Sequence, residues 1–164
     1  MKNNDMRQEL VQLGNGAQVL AVQILGNADD AADAVHDAFI SVLAQPEKYD
    51  RGKGPLKPWF YRVVRNRAID QKRRRRAVEG DVEAIAHAGL APDQNLENQQ
   101  RDLQLQRALA RVRPEQRQIL VLRDYLDLPY ADISRVLDIA QGTVMSRLHR
   151  ARMALKEELE TDDE

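Results

Sequence analysis

Residues 128–155 read LPYADISRVLDIAQGTVMSRLHRARMAL and hold two helical periods separated by a short turn. Ile133, Val136 and Leu137 give a short helix, about Tyr130 to Leu137, an apolar face, and Ile139 sits in the turn DIAQG. Val144, Leu148, Ala151 and Leu155 then recur at i, i+4, i+7 and i+11, one stripe of a final helix running from about Gly142 to Leu159. That stripe packs the second helix on the first. The residues left outside are Thr143, Met145, Ser146, Arg147, His149, Arg150 and Arg152, short hydroxyls and long cations close to a helix start. A major groove admits such a helix, with its first turns on the base edges. Arginine forks onto guanine or phosphate, and serine and threonine reach phosphates or bases. The plainer reading is a helical hairpin with a solvated basic face. The absence of any acid on this face before Glu157 favours DNA.

Upstream, the pattern is helical throughout, with no sustained alternation of apolar and polar residues. Pro114 opens a helix with Ile119, Leu120, Leu122 and Leu126 inward, and another covers about Leu96 to Val112. Residues 77–97 have Gly80, Gly89, Pro92 and weak periodicity, which reads as a linker with one short helix near Val82 to Ala86. A helix from about Pro58 to Arg75 precedes it, behind the loop QPEKYDRGKGP. A further helix runs from the N-cap signal GNADD to about Ala44, with Val35, Ala38, Phe39, Val42 and Leu43 inward. Ala17 to Leu25 forms another, and Gly14-Asn15-Gly16 reads as a break between it and a short first helix around Glu9 to Leu13. The expected fold is all-α: two small helical domains joined by a flexible acidic linker, the second a helix-turn-helix.

The charge is distributed in blocks that the net value of −1 conceals. Residues 51–76 hold eleven Lys or Arg against Asp70, a net of +10; residues 27–45 hold four Asp and no cation. Residues 77–100 again contain acids and no Lys or Arg. Such blocks point to a polyanion for one segment and a basic partner for another. Asp30, Asp33 and Asp37 fall at i, i+3 and i+7 on one helical stripe, with an ordinary solvated face as the plain alternative. In PWFYRVVRNRAIDQKRRRR, residues 58–76, three aromatics are adjacent. Consecutive helical residues point about 100° apart, so Trp59, Phe60 and Tyr61 cannot all face one strand of nucleic acid. Phe60 with Val63 and Val64 reads as core, Trp59 likewise, and Tyr61 is left open.

The 164 residues suffice for one ordinary domain or two small ones. The absence of Cys excludes disulfides, thiol catalysis and Cys-based zinc sites. His36, His87 and His149 have no metal-ligand spacing, and no cofactor is expected. No apolar run approaches the roughly 20 residues needed to span a bilayer, and the N-terminus lacks a signal-peptide pattern. A soluble cytoplasmic protein without membrane insertion is the default expectation.

Residues 128–155 closely resemble region 4 of bacterial RNA polymerase sigma factors of the extracytoplasmic-function (ECF) group, in the sigma-70 family, where a Y-x-x-I-A helix and a turn precede G-T-V-K-S-R-L-x-R-A-R. DDAADAVHDAFISVLAQ, residues 29–45, is similar to region 2.2, and residues 58–76 resemble regions 2.3 and 2.4. The resemblance covers roughly residues 17–76 and 98–156. Met145 stands where Lys is common, His36 where Gln is, and Asp37 where Glu is. The resemblance implies a non-enzymatic initiation subunit whose partners are core RNA polymerase, through its beta and beta-prime subunits, and promoter DNA. An anti-sigma factor, common in the family, would mask the same surfaces. It implies residues 1–76 as the unit for core polymerase and the −10 element, 77–97 as linker and 98–164 as the unit for the −35 element.

Asp30, Asp33, His36 and Asp37 are then the expected core-polymerase contacts. Tyr49, Arg51 and Lys53 in the loop, and Asn66 with its donor and acceptor, are expected to capture −10 bases. Arg62, Arg65, Lys72, Arg73, Arg74 and Arg75 hold phosphates. Thr143, Met145, Ser146, Arg147, His149 and Arg150 are expected on −35 DNA. The linker acids Glu79, Asp81, Glu83, Asp93 and Glu97 could fold over the basic face and suppress DNA binding in the free protein. Two other classes are weaker: a helix-turn-helix regulator acting without polymerase, and a recombinase or nuclease, for which Asp33 and Asp37 offer no partner histidine.

Overall fold

Gly26, at φ 81°, ends the first helix and Asn27 starts the next: its side-chain oxygen accepts the Asp30 N–H at 2.8 Å, a cap of the kind that contributes about 1 kcal/mol. The computed structural model describes residues 2–80 and 96–162. Helices α1 (Lys2–Leu25), α2 (Ala28–Ala44) and α3 (Leu56–Glu79) form an N-terminal unit. Helices α4 (Leu96–Arg111), α5 (Pro114–Leu120), α6 (Tyr130–Leu137) and α7 (Gln141–Asp162) form a C-terminal one. No strand occurs among the described residues. The all-α architecture and the two helical units stand as expected, and α6 and α7 begin and end close to the positions read from periodicity.

The expected break at Gly14-Asn15-Gly16 is absent: α1 runs through it unbroken. The glycines serve helix packing instead. A Cβ on Gly16 would collide with the Tyr61 hydroxyl of α3 and lie 3.3 Å from Leu126 Cδ2, and one on Gly14 would touch the Phe39 ring of α2 at 3.6 Å. Removing those side chains lets α2 and α3 lie close against α1, and the gain from packing exceeds the helix-propensity cost of roughly 1 kcal/mol per glycine. Tyr61 is accordingly buried, as is Phe60, which rests 5.1 Å from the Phe39 ring; Trp59 is half-buried.

The helix expected to end near Arg75 continues to Glu79, where Gly80 at φ 78° terminates it, so the first residues assigned to the linker are helical. The short helix expected near Val82 to Ala86, and most of the acidic linker, lie outside the described residues.

After α5 the chain makes a π turn over Val121–Tyr125, in which the Leu126 N–H reaches back five residues to the Val121 carbonyl at 2.8 Å. The extra residue shifts the helical phase, and Leu126 lands at the crossing of α1 and α3. One apolar core therefore continues from Met6, Leu10 and Leu20 through Phe60 and Val64 to Leu122, Ile133, Val144 and Leu148. Burying each large side chain of this set contributes about 1.5–3 kcal/mol before entropy is counted.

Candidate nucleic-acid interface

The turn between α6 and α7 is made by Asp138, in the left-handed conformation at φ 56°, ψ 51°, which short polar side chains tolerate. The Ile139 N–H donates to the Ser134 carbonyl at 3.1 Å, and the Ser134 hydroxyl donates back to the Ile139 carbonyl. Ile133 and Val136 of α6 and Val144, Leu148 and Ala151 of α7 are buried, so the two helices are locked by their apolar faces. Across the outer side of α7, Met145, Ser146, Arg147, His149 and Arg150 are exposed and Thr143 is half-buried. The Ser146 hydroxyl donates to the Thr143 carbonyl at 3.1 Å. Arg152 is tied down: its guanidinium forks onto Asp124 at 2.6 and 3.1 Å, and that hydrogen bond holds it above the usual arginine range.

On α2, Asp33, His36 and Asp37 are exposed beside an outward Ile40. Asp30 stands apart from them. Its carboxylate takes the Asn27 amide and the Arg75 guanidinium, pinning the start of α2 to α3. Burial alone would raise its pKa; the Asn27 and Arg75 contacts outweigh that and hold the carboxyl below its ordinary value. The residues of that face left exposed are thus Asp33, His36 and Asp37.

The loop before α3 is built around Tyr49. Its hydroxyl donates to the Gly54 carbonyl at 2.8 Å, and its ring meets Trp59 at 5.1 Å and 41°. Asp50 accepts the Gly52 N–H at 2.9 Å, and Arg51 reaches Glu9 at 3.5 Å. The structure thereby places Tyr49 as a strut of the loop, with Arg51 and Lys53 exposed around it. Along α3, Asn66, Arg73 and Arg74 are exposed, and Lys72 and Arg75 half-buried.

Part of this basic surface is engaged by the C-terminal unit. Arg62 pairs with Asp138 at 3.4 Å. The Arg65 Nε donates to Gln118 Oε1 at 2.8 Å, and loss of water around that guanidinium pushes its pKa down. The Arg135 guanidinium of α6 covers Gly54, at φ 143°, so closely that a Cβ there would collide with it. Deeper in the same seam, Arg117 donates to the Ala110 and Val112 carbonyls at 3.1 and 2.9 Å and, across the units, to the Gln23 carbonyl at 3.2 Å.

Among the described residues, the buried polar side chains are Gln23, Arg117 and Gln118, and all three lie at this seam. Sequence reasoning passed over them. An arginine and a glutamine on a helix read as solvent-facing, and only the meeting of two units distant in sequence buries them. Among the described residues no group of three His, Asp or Glu gathers as a metal site, and no helix is long and apolar enough to cross a membrane.

Residues 16–78 match the family model described as "Sigma-70 region 2", and residues 102–155 the one described as "Sigma-70, region 4". The chain is 32% identical over 145 residues to the ECF RNA polymerase sigma factor SigE of Mycolicibacterium smegmatis, covering 85% of this chain and 56% of that one. It is 30% identical over 138 residues to the ECF RNA polymerase sigma factor SigL of Mycobacterium tuberculosis, covering 83% and 78%. Among solved structures, the sigma factor RpoE in complex with the anti-sigma factor NepR from Bartonella quintana superposes with a TM-score of 0.77 at 28% identity, over 96% of this chain and 98% of that one. CnrH in complex with the cytosolic domain of CnrY shares the fold at a TM-score of 0.68, 22% identity and coverage of 96% and 88%.

Proposed function

The chain belongs to the ECF RNA polymerase sigma factors of the sigma-70 family, and from that premise we propose that it is a dissociable initiation subunit acting by binding rather than by catalysis. It docks on core RNA polymerase, on the beta and beta-prime subunits, through Asp33, His36 and Asp37. It reads −35 DNA with α7, and it recognises and opens −10 DNA with the Tyr49–Gly54 loop and α3. Residues 1–76, extended to the end of α3 at Glu79, serve the first and third tasks; residues 98–164 serve the second. The site of action is the cytoplasm, where polymerase and chromosome meet.

The observation that carries this reading is the presence, in one chain and in order, of both matched regions. A regulator that works without polymerase needs the helix-turn-helix alone and leaves residues 16–78, with their acidic α2 face and cationic α3, without a task. Complementary charge mainly speeds and orients docking, which suits the Asp33–Asp37 face. The +10 segment suits DNA, with affinity that falls steeply as salt rises. The seam sets an order of events: Arg62 and Arg65 become available to −10 DNA when α5 and α6 leave α3. An anti-sigma factor for this chain would need only to hold the arrangement described above.

Run-off transcription with purified core polymerase and a promoter library tests the reading. Transcripts that depend on this protein are expected, and the Asp33→Lys, Asp37→Lys double variant should lose about tenfold or more in core binding. Promoter binding without transcripts, in the presence of core, would favour the polymerase-independent regulator.

A further inference from the structure

Every described glycine but one has a reason inside the molecule. Gly26, Gly54 and Gly80 have φ of 81°, 143° and 78°, where a side chain is strained. Gly14 and Gly16 face the Phe39 ring and the Tyr61 hydroxyl. Gly52 sits over the Asp50 carboxylate that caps its N–H, 3.1 Å from where a Cβ would be. Gly142 differs on each count: it lies within α7, its φ is not positive, and a Cβ on it would meet nothing within 4 Å. Alanine would fit the free protein there and is the better helix former. Packing and backbone geometry therefore give no cause for its bareness.

Its position on α7 suggests the cause. The helix buries Val144, Leu148 and Ala151. Gly142, Ser146, His149 and Met153, at i, i+4, i+7 and i+11, run down the opposite side, and all four are exposed. Gly142 is thus the first residue on the midline of the outward face, with Thr143, Met145 and Ser146 beside it in the first turn and the cation Arg150 further down the same side. Those neighbours suit an anionic, hydrogen-bonding surface, and in a recognition helix the first turn goes deepest.

We propose that Gly142 is a positioning residue for −35 DNA. Its missing side chain lets a base edge or sugar–phosphate strand come against the α7 backbone, and so sets the depth and tilt at which Thr143, Met145 and Ser146 meet the groove. The inference rests on the reading of α7 as the −35 helix. It adds that the fit is set by an absence, and that a methyl group at this point pushes the helix out of register with the bases.

The test uses the full-length protein and its Gly142→Ala variant with core polymerase, on a promoter selected from the library and on the same promoter with a scrambled −35 element. The variant should melt at the same temperature as the parent or higher and bind core polymerase equally well. Its transcription from the intact promoter should fall by about tenfold or more, the scale of losing one good base contact, while the scrambled promoter shows less than about a twofold difference. Full activity of Gly142→Ala on the intact promoter overturns the inference and leaves the function standing, and a lowered melting temperature overturns it in favour of a structural role. Parent holoenzyme that ignores the −35 element would remove the reading of α7 itself.

Discussion

The two basic surfaces proposed for promoter DNA differ in what covers them. On α3, Arg62 holds Asp138, Arg65 holds Gln118, and the loop at Gly54 lies under Arg135. On α7, Met145, Arg147, His149 and Arg150 are exposed, with Arg147 near enough to Arg65 of α3 to feel its charge. The first surface carries more positive charge and is partly occupied by its own chain. The second carries less and is presented. Charge alone would rank α3 as the stronger DNA binder in the free protein, and on the proposed function the seam would reverse that ranking. On the proposed function, reading −35 DNA would then be unconditional, whereas reading −10 DNA would wait on separation of the units.

The buried polar content of the seam fits an interface that opens. Interfaces between domains that move are more polar than permanent cores, and here Gln23, Arg117 and Gln118 are buried beside the apolar core that runs across both units. Their hydrogen bonds offset part of their desolvation when closed, while Arg117 Nε is buried without a hydrogen-bond partner among the described residues and would gain one from water on opening. Apolar contacts such as Leu126 against Gly16 and Tyr61 add closing force.

The strongest way to break the contrast is to forbid opening. The chain has no cysteine of its own, so Arg62→Cys and Asp138→Cys can be joined by a short bis-maleimide without side reactions. The tethered protein should lose about a hundredfold or more of its transcription while binding −35 duplex within about threefold of the untethered double variant; full transcription from the tethered form would show that α3 need not be uncovered.

A smaller effect is expected from crowding the crossing. Gly16→Ala forces Tyr61 and Leu126 to move and should cost about 1–3 kcal/mol. With one core across both units, a single transition followed by calorimetry should shift as a whole. A new second transition would show that the units melt apart. Smaller still is Gln118→Ala, which frees Arg65 at a cost of about 1 kcal/mol. It should favour the open form and raise −10 single-strand binding several-fold, read by fluorescence anisotropy; unchanged binding would mean that Gln118 does not hold α3 closed.

Local periodicity explains why α6 and α7 were legible from the sequence. Val144, Leu148, Ala151 and Leu155 repeat within one helix and pack on its immediate neighbour, so the information is contained in a few turns. Gly14-Asn15-Gly16 misled because a glycine pair signals a break locally, and only Tyr61 and Phe39, brought in by α3 and α2, turn it into a packing surface. Asp30 was read with Asp33 and Asp37 because spacing places them on one stripe. The Asn27 cap and Arg75 then draw it out of that stripe. The π turn and the seam left no trace in pattern: Leu122 and Leu126 read as one helical face ending at the turn DLPY, and Arg117 and Gln118 have the chemistry of exposed helix residues.

The packing of Tyr49 on Trp59 has a practical consequence. The chain contains one tryptophan, and its indole is linked through the Tyr49 ring and hydroxyl to Gly54, the residue beneath Arg135 of α6. The protein therefore carries an intrinsic optical probe at one edge of the seam. Tryptophan emission, with no dye attached, would report how fast the two halves part if polymerase opens the seam as proposed.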